Sequence, residues 1–375
     1  MNITVESRQL LQAVDMLRKV IASKPILPIL DCILLEQHEP DSLLLTASDS
    51  EHRLSVVCPV SEITGFHPIC LPAVYLAEAL RTIPDQPVTI EAGKMMNVTV
   101  RHANGEVSFM AQPADEFPGA APADNAESVV TLPLDRLMGL CRTVPGFAAN
   151  DELRPVLNGA LLEVGPQGLV CVASDGHRLI KVVLTDITAT ERHSILLPRR
   201  SYSLLQQWQK RGCAPVSVTL AGNECLFTTD GLRLSCRLIE GRYPNYNSVI
   251  PQYNDKHVTV DREQLLRAVD SVSAFSSRAS QLISLRADGS QLRLKADNPD
   301  FSTRAHVDLS AATNFDTPLR IGFHAGYLST LLSQLPCSEV KLELHDPTSA
   351  CVVHHDDPAA STSITALLMP MQLLN

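Results

Sequence analysis

Ser174, Asp175, His177 and Arg178 fall within one short stretch, ASDGHRL, residues 173–179. A hydroxyl, a carboxylate and an imidazole are the groups of nucleophilic hydrolysis. The acid orients the imidazole, and the imidazole takes the hydroxyl proton. That chemistry needs three separately positioned groups, whereas these sit too close in sequence to be oriented independently. No G-x-S-x-G motif supports the reading elsewhere in the chain. The same letters suit a tight reversal between two strands, in which Asp accepts local main-chain N–H groups and Gly permits the turn. The turn accounts for Asp175 and Gly176 but not for His177 and Arg178. A hydrolase built on Ser174, Asp175 and His177 stands as the alternative.

Other chemistries fare worse. In EAGKMM, Gly93 and Lys94 resemble a phosphate loop, but Val88 replaces its first glycine and Met95 its Ser or Thr. HHDDP, residues 354–358, offers metal-ligand types, yet adjacent ligands rarely converge on one ion, and a solvated turn before proline is the simpler expectation. His324 and His345 read as ordinary hydrogen-bonding residues. No catalytic residue, metal or cofactor is expected. The ten cysteines show no C-x-x-C pair, and most lie in apolar runs, such as Cys32, Cys171, Cys225 and Cys236. Buried thiols in a reducing cytoplasm are expected. MNITVESRQLLQAV lacks the charged start and apolar core of a signal peptide, and no run approaches eighteen apolar residues, so no membrane partner is expected.

One pattern is written three times across the 375 residues. ITVESRQLLQAVDMLRKV, VTLPLDRLMGLCRTV and VTVDREQLLRAVDSV each read as a strand followed by a helix, with Thr4, Thr131 and Thr259 spaced 127 and 128 apart. Leu10, Val14, Leu17 and Ile21 fall on one helical face, as do Leu265, Val269 and Val272. A second marker, strand–helix–turn–strand, places Leu71, Leu197 and Phe323 126 apart. The turn repeats too: LLLTASDSEHRLSV matches LVCVASDGHRLIKV, with Asp49 and Asp175 126 apart, and LRLKADNPDFSTRAHV is a looser third copy. Linkers are expected over 112–128 and 240–257, between α+β domains spanning 1–120, 129–248 and 255–375.

The formal charge of −10 argues against nucleic-acid binding by bulk charge. The cations are nonetheless clustered on helical segments: Arg8, Arg18, Lys19 and Lys24; Arg199, Arg200, Lys210 and Arg211; and Arg262, Arg267 and Arg278, the last group partly offset by Glu263 and Asp270. Residues 199–211 hold four cations and no acid, which suits loose, sequence-blind phosphate contact. Six tyrosines and one tryptophan supply no stacking platform for single strands.

The chain resembles the bacterial sliding clamps, the beta subunits of the replicative DNA polymerase. The likeness runs through KPILPIL (24–30), RPVLNG (154–159), ASDGHRL, EGRYPNYNSVIP (240–251) and the terminal MPM (369–371). The resemblance implies an α+β fold of three repeated clamp-type domains, each with two helices packed on antiparallel sheets. Two subunits would join head to tail into a homodimer ring around double-stranded DNA, without catalysis. It implies DNA contacts at Lys24, Arg154, Arg199 and Arg200 and a subunit contact at Phe275. It also implies a peptide pocket of Leu157, Ser174, His177, Arg178, Leu179, Pro244, Val249, Leu367, Met369 and Met371, where DNA polymerase and clamp-loader subunits dock short motifs. On that reading ASDGHRL holds a partner. Gln372 stands where the family commonly has a basic residue, and Asn247 and Ser248 also replace frequent basic residues. A clamp-like paralogue not serving replication is the second alternative, and the intact pocket residues argue against it.

Overall fold

The computed structural model describes residues 1–93, 95–119, 126–210 and 214–373, with Lys210 described by its main chain alone. Lys94, Arg211, Leu374, Asn375 and residues 120–125 of the first linker lie outside the described residues, as does the Lys210 side chain.

Among the described residues there are six α-helices, two per repeat: α1 (Ser7–Leu17), α2 (Ala73–Thr82), α3 (Leu134–Thr143), α4 (Arg199–Leu205), α5 (Arg262–Ser273) and α6 (Ala325–Gln334). Leu10, Val14 and Leu17 bury one face of α1, and Leu265, Val269 and Val272 one face of α5, as their three- and four-residue spacing requires. Ile21, expected on the first of these faces, lies beyond the helix end. The turn after Leu17 breaks the helical phase, and Val20 takes the buried place. The helices start directly from strands. α5 is capped by Asp261, whose Oδ1 accepts the Gln264 N–H at 2.8 Å, and α6 by His324, whose Nδ1 accepts the Tyr327 N–H at 3.3 Å. No helix among the described residues is long and apolar enough to cross a membrane.

The chain divides into two compact units that cut across the middle repeat. The first comprises residues 1–138 and 200–238, the second residues 139–199 and 239–375. In the first unit, a nine-stranded antiparallel sheet runs from the hairpin strands Cys32–Glu39, Ser42–Ser48 and His52–Pro59 directly into Leu232–Arg237, Glu224–Thr229 and Val216–Ala221. The joint is a ladder between His52–Pro59 and Leu232–Arg237, with Leu54 opposite Leu234. The second unit repeats the plan: Gly159–Gly165, Gly168–Ser174 and Arg178–Leu184 continue into Thr362–Leu368, Cys351–Asp357 and Glu339–Leu344. There Leu179 stands opposite Leu367. A five-stranded sheet ends at the edge strand Gly105–Met110, and a four-stranded sheet at the edge strand Thr303–Ser310.

HHDD, expected as a solvated turn, is strand instead. Residues 351–357 pair with 362–368, and His354 Nδ1 lies 3.1 Å from Thr365 Oγ1. Successive side chains on a strand point to opposite faces, which separates the four ligand-type residues. None of the nine described cysteines forms a disulfide, and all but Cys337 are buried.

Gly159 explains the end of the RPVLNG motif. A Cβ there would overlap the Leu197 carbonyl oxygen and come within 2.7 Å of Ile239 Cδ1. In α3, by contrast, nothing lies within 4 Å of a Cβ at Gly139. The same substitution should therefore act with opposite signs. Gly159→Ala is expected to destabilise by about 1–3 kcal/mol through overpacking. Gly139→Ala should stabilise by about 1 kcal/mol through helix propensity. Urea unfolding midpoints check both.

Candidate functional site

The Asp turn has the same geometry in both units. Asp175 Oδ1 accepts the N–H groups of His177 and Arg178 at 2.9 and 3.0 Å, and Asp49 Oδ1 accepts those of Glu51 and His52 at 3.0 and 2.6 Å. Gly176 and Ser50 hold the same left-handed step, at φ 90° and 79°. The turns superimpose without a gap, so Arg178 corresponds to His52, and Leu179 to Arg53. The shared letters HRL are thus one position out of register.

Ser174, Asp175 and His177 do not assemble a nucleophile. Ser174 Oγ donates to the Arg178 carbonyl at 2.8 Å and accepts the Gly176 N–H at 3.1 Å. The second carboxylate oxygen of Asp175 pairs with Arg178 Nε at 2.9 Å, and the His177 ring lies beside Tyr327 with centroids 6.3 Å apart. A Ser–His–Asp chain does exist elsewhere, unforeseen from the sequence. Ser201 Oγ is 3.1 Å from His52 Nε2, and His52 Nδ1 is 3.3 Å from Asp49. Burial opposes ionisation of Asp49, yet the hydrogen bonds from His52 and the nearby Arg200 hold its carboxyl below the usual range. Ser201 and His52 are 0% and 1% exposed, so no substrate can reach them. Position 126 residues on shows what the arrangement is for: Arg178 lies 4.4 Å over the Tyr327 ring as His52 lies against Ser201. These contacts fasten a turn of one repeat to the second helix of the next.

Beside the second turn opens a cavity of about 740 Å³. Leu157, Ser174, Arg178, Leu179, Pro244, Val249, Leu367 and Met369 all line it. Leu157, Leu179 and Leu367 are buried in its wall, while Val249 and Met369 stand half exposed at its mouth. His177 and Met371 are not among the lining residues. His177 instead accepts the Met369 N–H on its carbonyl at 2.8 Å, and the Met371 N–H donates to the Gly322 carbonyl at 2.8 Å. Both therefore anchor the tail that carries Met369. Beyond Pro244 and Val249, sequence reasoning missed further wall residues of the second linker, Tyr243, Tyr246, Tyr253 and Asn254, and missed Ser349 and Ala350. The signal was present, because that linker is too apolar for a flexible tether.

Arg178 offers the cavity no unpaired charge. It is held by Asp175 and lies 5.3 Å over the Phe147 ring as well as over Tyr327. His324 also stacks on Tyr327, its ring centroid 4.1 Å away. Burial and the neighbouring Arg178 keep this imidazole below the usual histidine range, consistent with its neutral Nδ1 capping α6. Tyr246 donates to Glu163 Oε2 at 2.7 Å, and burial with that carboxylate pushes its phenol up to about 12.

The first unit has a counterpart cavity of about 690 Å³, with Phe117 and Pro118 where the second has Tyr243 and Pro244. Its wall carries Arg53 and Ser235 in cross-strand pairing, in place of Leu179 and Leu367. All four candidate DNA contacts, Lys24, Arg154, Arg199 and Arg200, are exposed. Arg154 lines the second cavity and pairs with Asp151 at 2.8 Å, and Arg200 donates to the Val20 carbonyl at 2.6 Å and pairs with Asp49 at 3.3 Å. Phe275 is 43% exposed just beyond α5.

Three family models match the chain in order. They describe the DNA polymerase III beta subunit: its N-terminal domain over residues 1–121, its central domain over 131–245 and its C-terminal domain over 247–372. The beta sliding clamps of Salmonella typhimurium and Escherichia coli are each 28% identical to it, with 100% of both chains covered. A DNA polymerase sliding clamp from Pseudomonas aeruginosa matches with a TM-score of 0.89 at 27% identity, over 100% of each chain. A sliding clamp from Bartonella birtlesii, solved bound to griselimycin, matches with a TM-score of 0.91 at 25% identity, again over 100% of each chain. Matched in order along its length and covered whole by these relatives, the chain belongs to the DNA polymerase III beta subunit family, the beta sliding clamps, which are non-catalytic processivity factors.

Proposed function

We propose that two copies of this chain close head to tail into a ring around double-stranded DNA and tether polymerase and clamp-loader subunits by short peptides. The observation that carries the ring is the repeated joint. Within each unit, the third strand of one hairpin set pairs with the third strand of the next set. The remaining two such strands, Thr303–Ser310 and Gly105–Met110, are sheet edges. A second copy would supply each with its partner. The side chains support this. Phe147, buried in the joint of the second unit, corresponds to the exposed Phe275, and Ser201 and Tyr327, which dock the turns, correspond to Tyr75, 61% exposed. Such a contact is heterologous, joining the first repeat of one copy to the third of its partner, and it closes after two copies.

DNA contact falls to Lys24 and Arg199 more than to Arg154 and Arg200, whose guanidinium groups are engaged within the chain. Few cations on an acidic chain give weak, sequence-independent and strongly salt-dependent association. Chain loaded on a nicked circle should therefore stay bound through gel filtration and leave once the circle is cut to a linear form. Equal retention on both forms would reject encirclement.

The peptide site is the cavity of the second unit, chosen over its counterpart because apolar Leu179 and Leu367 accept anchors that Arg53 and Ser235 would leave against polar groups. Met369, adaptable and half exposed at the mouth, closes over the bound segment. Met369→Ala is expected to weaken a polymerase-derived peptide roughly thirtyfold, about 2 kcal/mol, and Arg53→Ala to leave it unchanged. Calorimetric titration checks both; sensitivity to Arg53→Ala alone would move the site to the first unit.

A further inference from the structure

Both internal joints share one register. Leu54 stands opposite Leu234 in the first unit, and Ile180 opposite Ala366 in the second. The free edges hold residues at the same steps of their sheets. Within their hairpins Leu54 and Ile180 pair with Ala47 and Ala173, as Ala305 pairs with Ala296. Leu234, Ala366 and Val107 likewise pair with Phe227, Val353 and Val100, and these pair in turn with Val218, Leu342 and Ile90. That row ends on Val130, Val258 and Ile3, the residues just before the repeat markers Thr131, Thr259 and Thr4. Leu54, Leu234, Ile180 and Ala366 are all 0% exposed, whereas Val107 is 37% exposed and Ala305 half-buried.

We propose that the seam between two copies repeats this register, Ala305 of one copy opposite Val107 of the other, and that His306 and Glu106, thereby brought opposite each other, select these two edges for one another. The proposal rests on the reading of the chain as a ring. A slip of one residue would set Val107 against Arg304 or His306, which lie on the exposed face of their strand. A slide of two toward Val307 would set Asp308 against Glu106, two like charges. A slide of two the other way carries Val307 past Gly105, where the partner strand begins. Selection follows from what stands at these positions elsewhere. The internal joints have Ser55 opposite Arg233 and Lys181 opposite Thr365. Among the three pairings only the seam sets an acid against a donor. An imidazole N–H donates to a carboxylate in either protonation state. His306 makes no hydrogen bond or ion pair of its own among the described residues; its neighbours are Lys295 across the strand and Arg304 and Asp308 along it, and Asp308 is held by Arg293. Glu106 lies 3.4 Å from Arg101 and keeps lone pairs for a second donor. A strand offering Arg233 in place of Glu106 would add a cation beside Lys295 and Arg304, so the wrong edge is opposed as well as the right one favoured.

Disulfide trapping in the full chain tests the register. Val107→Cys is combined in turn with Thr303→Cys, Ala305→Cys and Val307→Cys, and each variant is oxidised and run on a non-reducing denaturing gel. Directly opposite residues have Cα atoms about 4.5–5.5 Å apart, within disulfide reach, and diagonal ones about 7–8 Å apart, outside it. Ala305→Cys with Val107→Cys should trap the chain at doubled mass, and the other two combinations should leave it largely at single mass. Charge exchange tests the pair, read as the dimer dissociation constant by fluorescence-detected sedimentation. Glu106→Arg should raise that constant about fivefold for each seam. Adding His306→Glu to the same chain should return it to within about twofold of wild type, a recovery that requires the two side chains to meet. Trapping through Thr303 or Val307, or through none of the three, in a chain that sediments at doubled mass would overturn the register and leave the ring standing. No loss in Glu106→Arg, or a loss that His306→Glu does not recover, would overturn the pair. A wild-type chain of single mass would overturn the ring and the proposal together.

Discussion

An open strand edge exposes a row of unpaired N–H and C=O groups, and the architecture is organised around closing such edges. A hairpin set from one repeat ends in an edge, and the next repeat supplies the strand that pairs with it, at Leu54 opposite Leu234 and at Leu179 opposite Leu367. The Asp turns sit where these ladders begin. Each turn is closed by its own carboxylate and then fastened to a helix of the following repeat, through His52 and Ser201 in one case and Arg178 and Tyr327 in the other. A chain of three such repeats has two joints inside it, and its two third strands outside those joints, Gly105–Met110 and Thr303–Ser310, are sheet edges.

The cavity follows from the joint. Described residues of each linker line a hollow beside the shared sheet, Phe117 and Pro118 in the first unit and Tyr243 and Pro244 in the second. The repeat makes the shape twice, and side-chain identity then separates the roles. Arg53 and Ser235 stand paired in the wall of the first hollow where Leu179 and Leu367 stand paired in the second. The tail beyond Leu368 is pinned at the second by two main-chain hydrogen bonds, to His177 and Gly322. His177 thus contributes to the site through its carbonyl oxygen and not through its ring.

Much of this was legible in the sequence, because repeats and apolar periodicity survive as spacing. The intervals of 126 to 128 residues marked the three repeats, though not the sheets they share, and Leu157, Leu179, Pro244, Val249, Leu367 and Met369 line one cavity. Other features depend on geometry that letters do not carry. The coincidence of HRL in two turns concealed a one-residue offset, since the backbone follows the aspartate and the left-handed residue after it. Cross-strand pairing turned HHDD into strand, and local hydrogen bonding drew Arg154 and Arg200 toward their own chain. The Ser201–His52–Asp49 chain joins residues 149 positions apart and is visible only once the sheet is formed.

The central claim is that the edge strands Gly105–Met110 and Thr303–Ser310 find their partners in a second copy. Sedimentation equilibrium of the wild-type chain and of Phe275→Asp tests it most directly. The account predicts a wild-type mass twice that of the 40.8 kDa chain and a variant at the mass of one chain, because the charge is placed where Phe147 is buried in the internal joint. A wild-type chain that sediments as a single copy, or a variant that keeps the doubled mass, would contradict it.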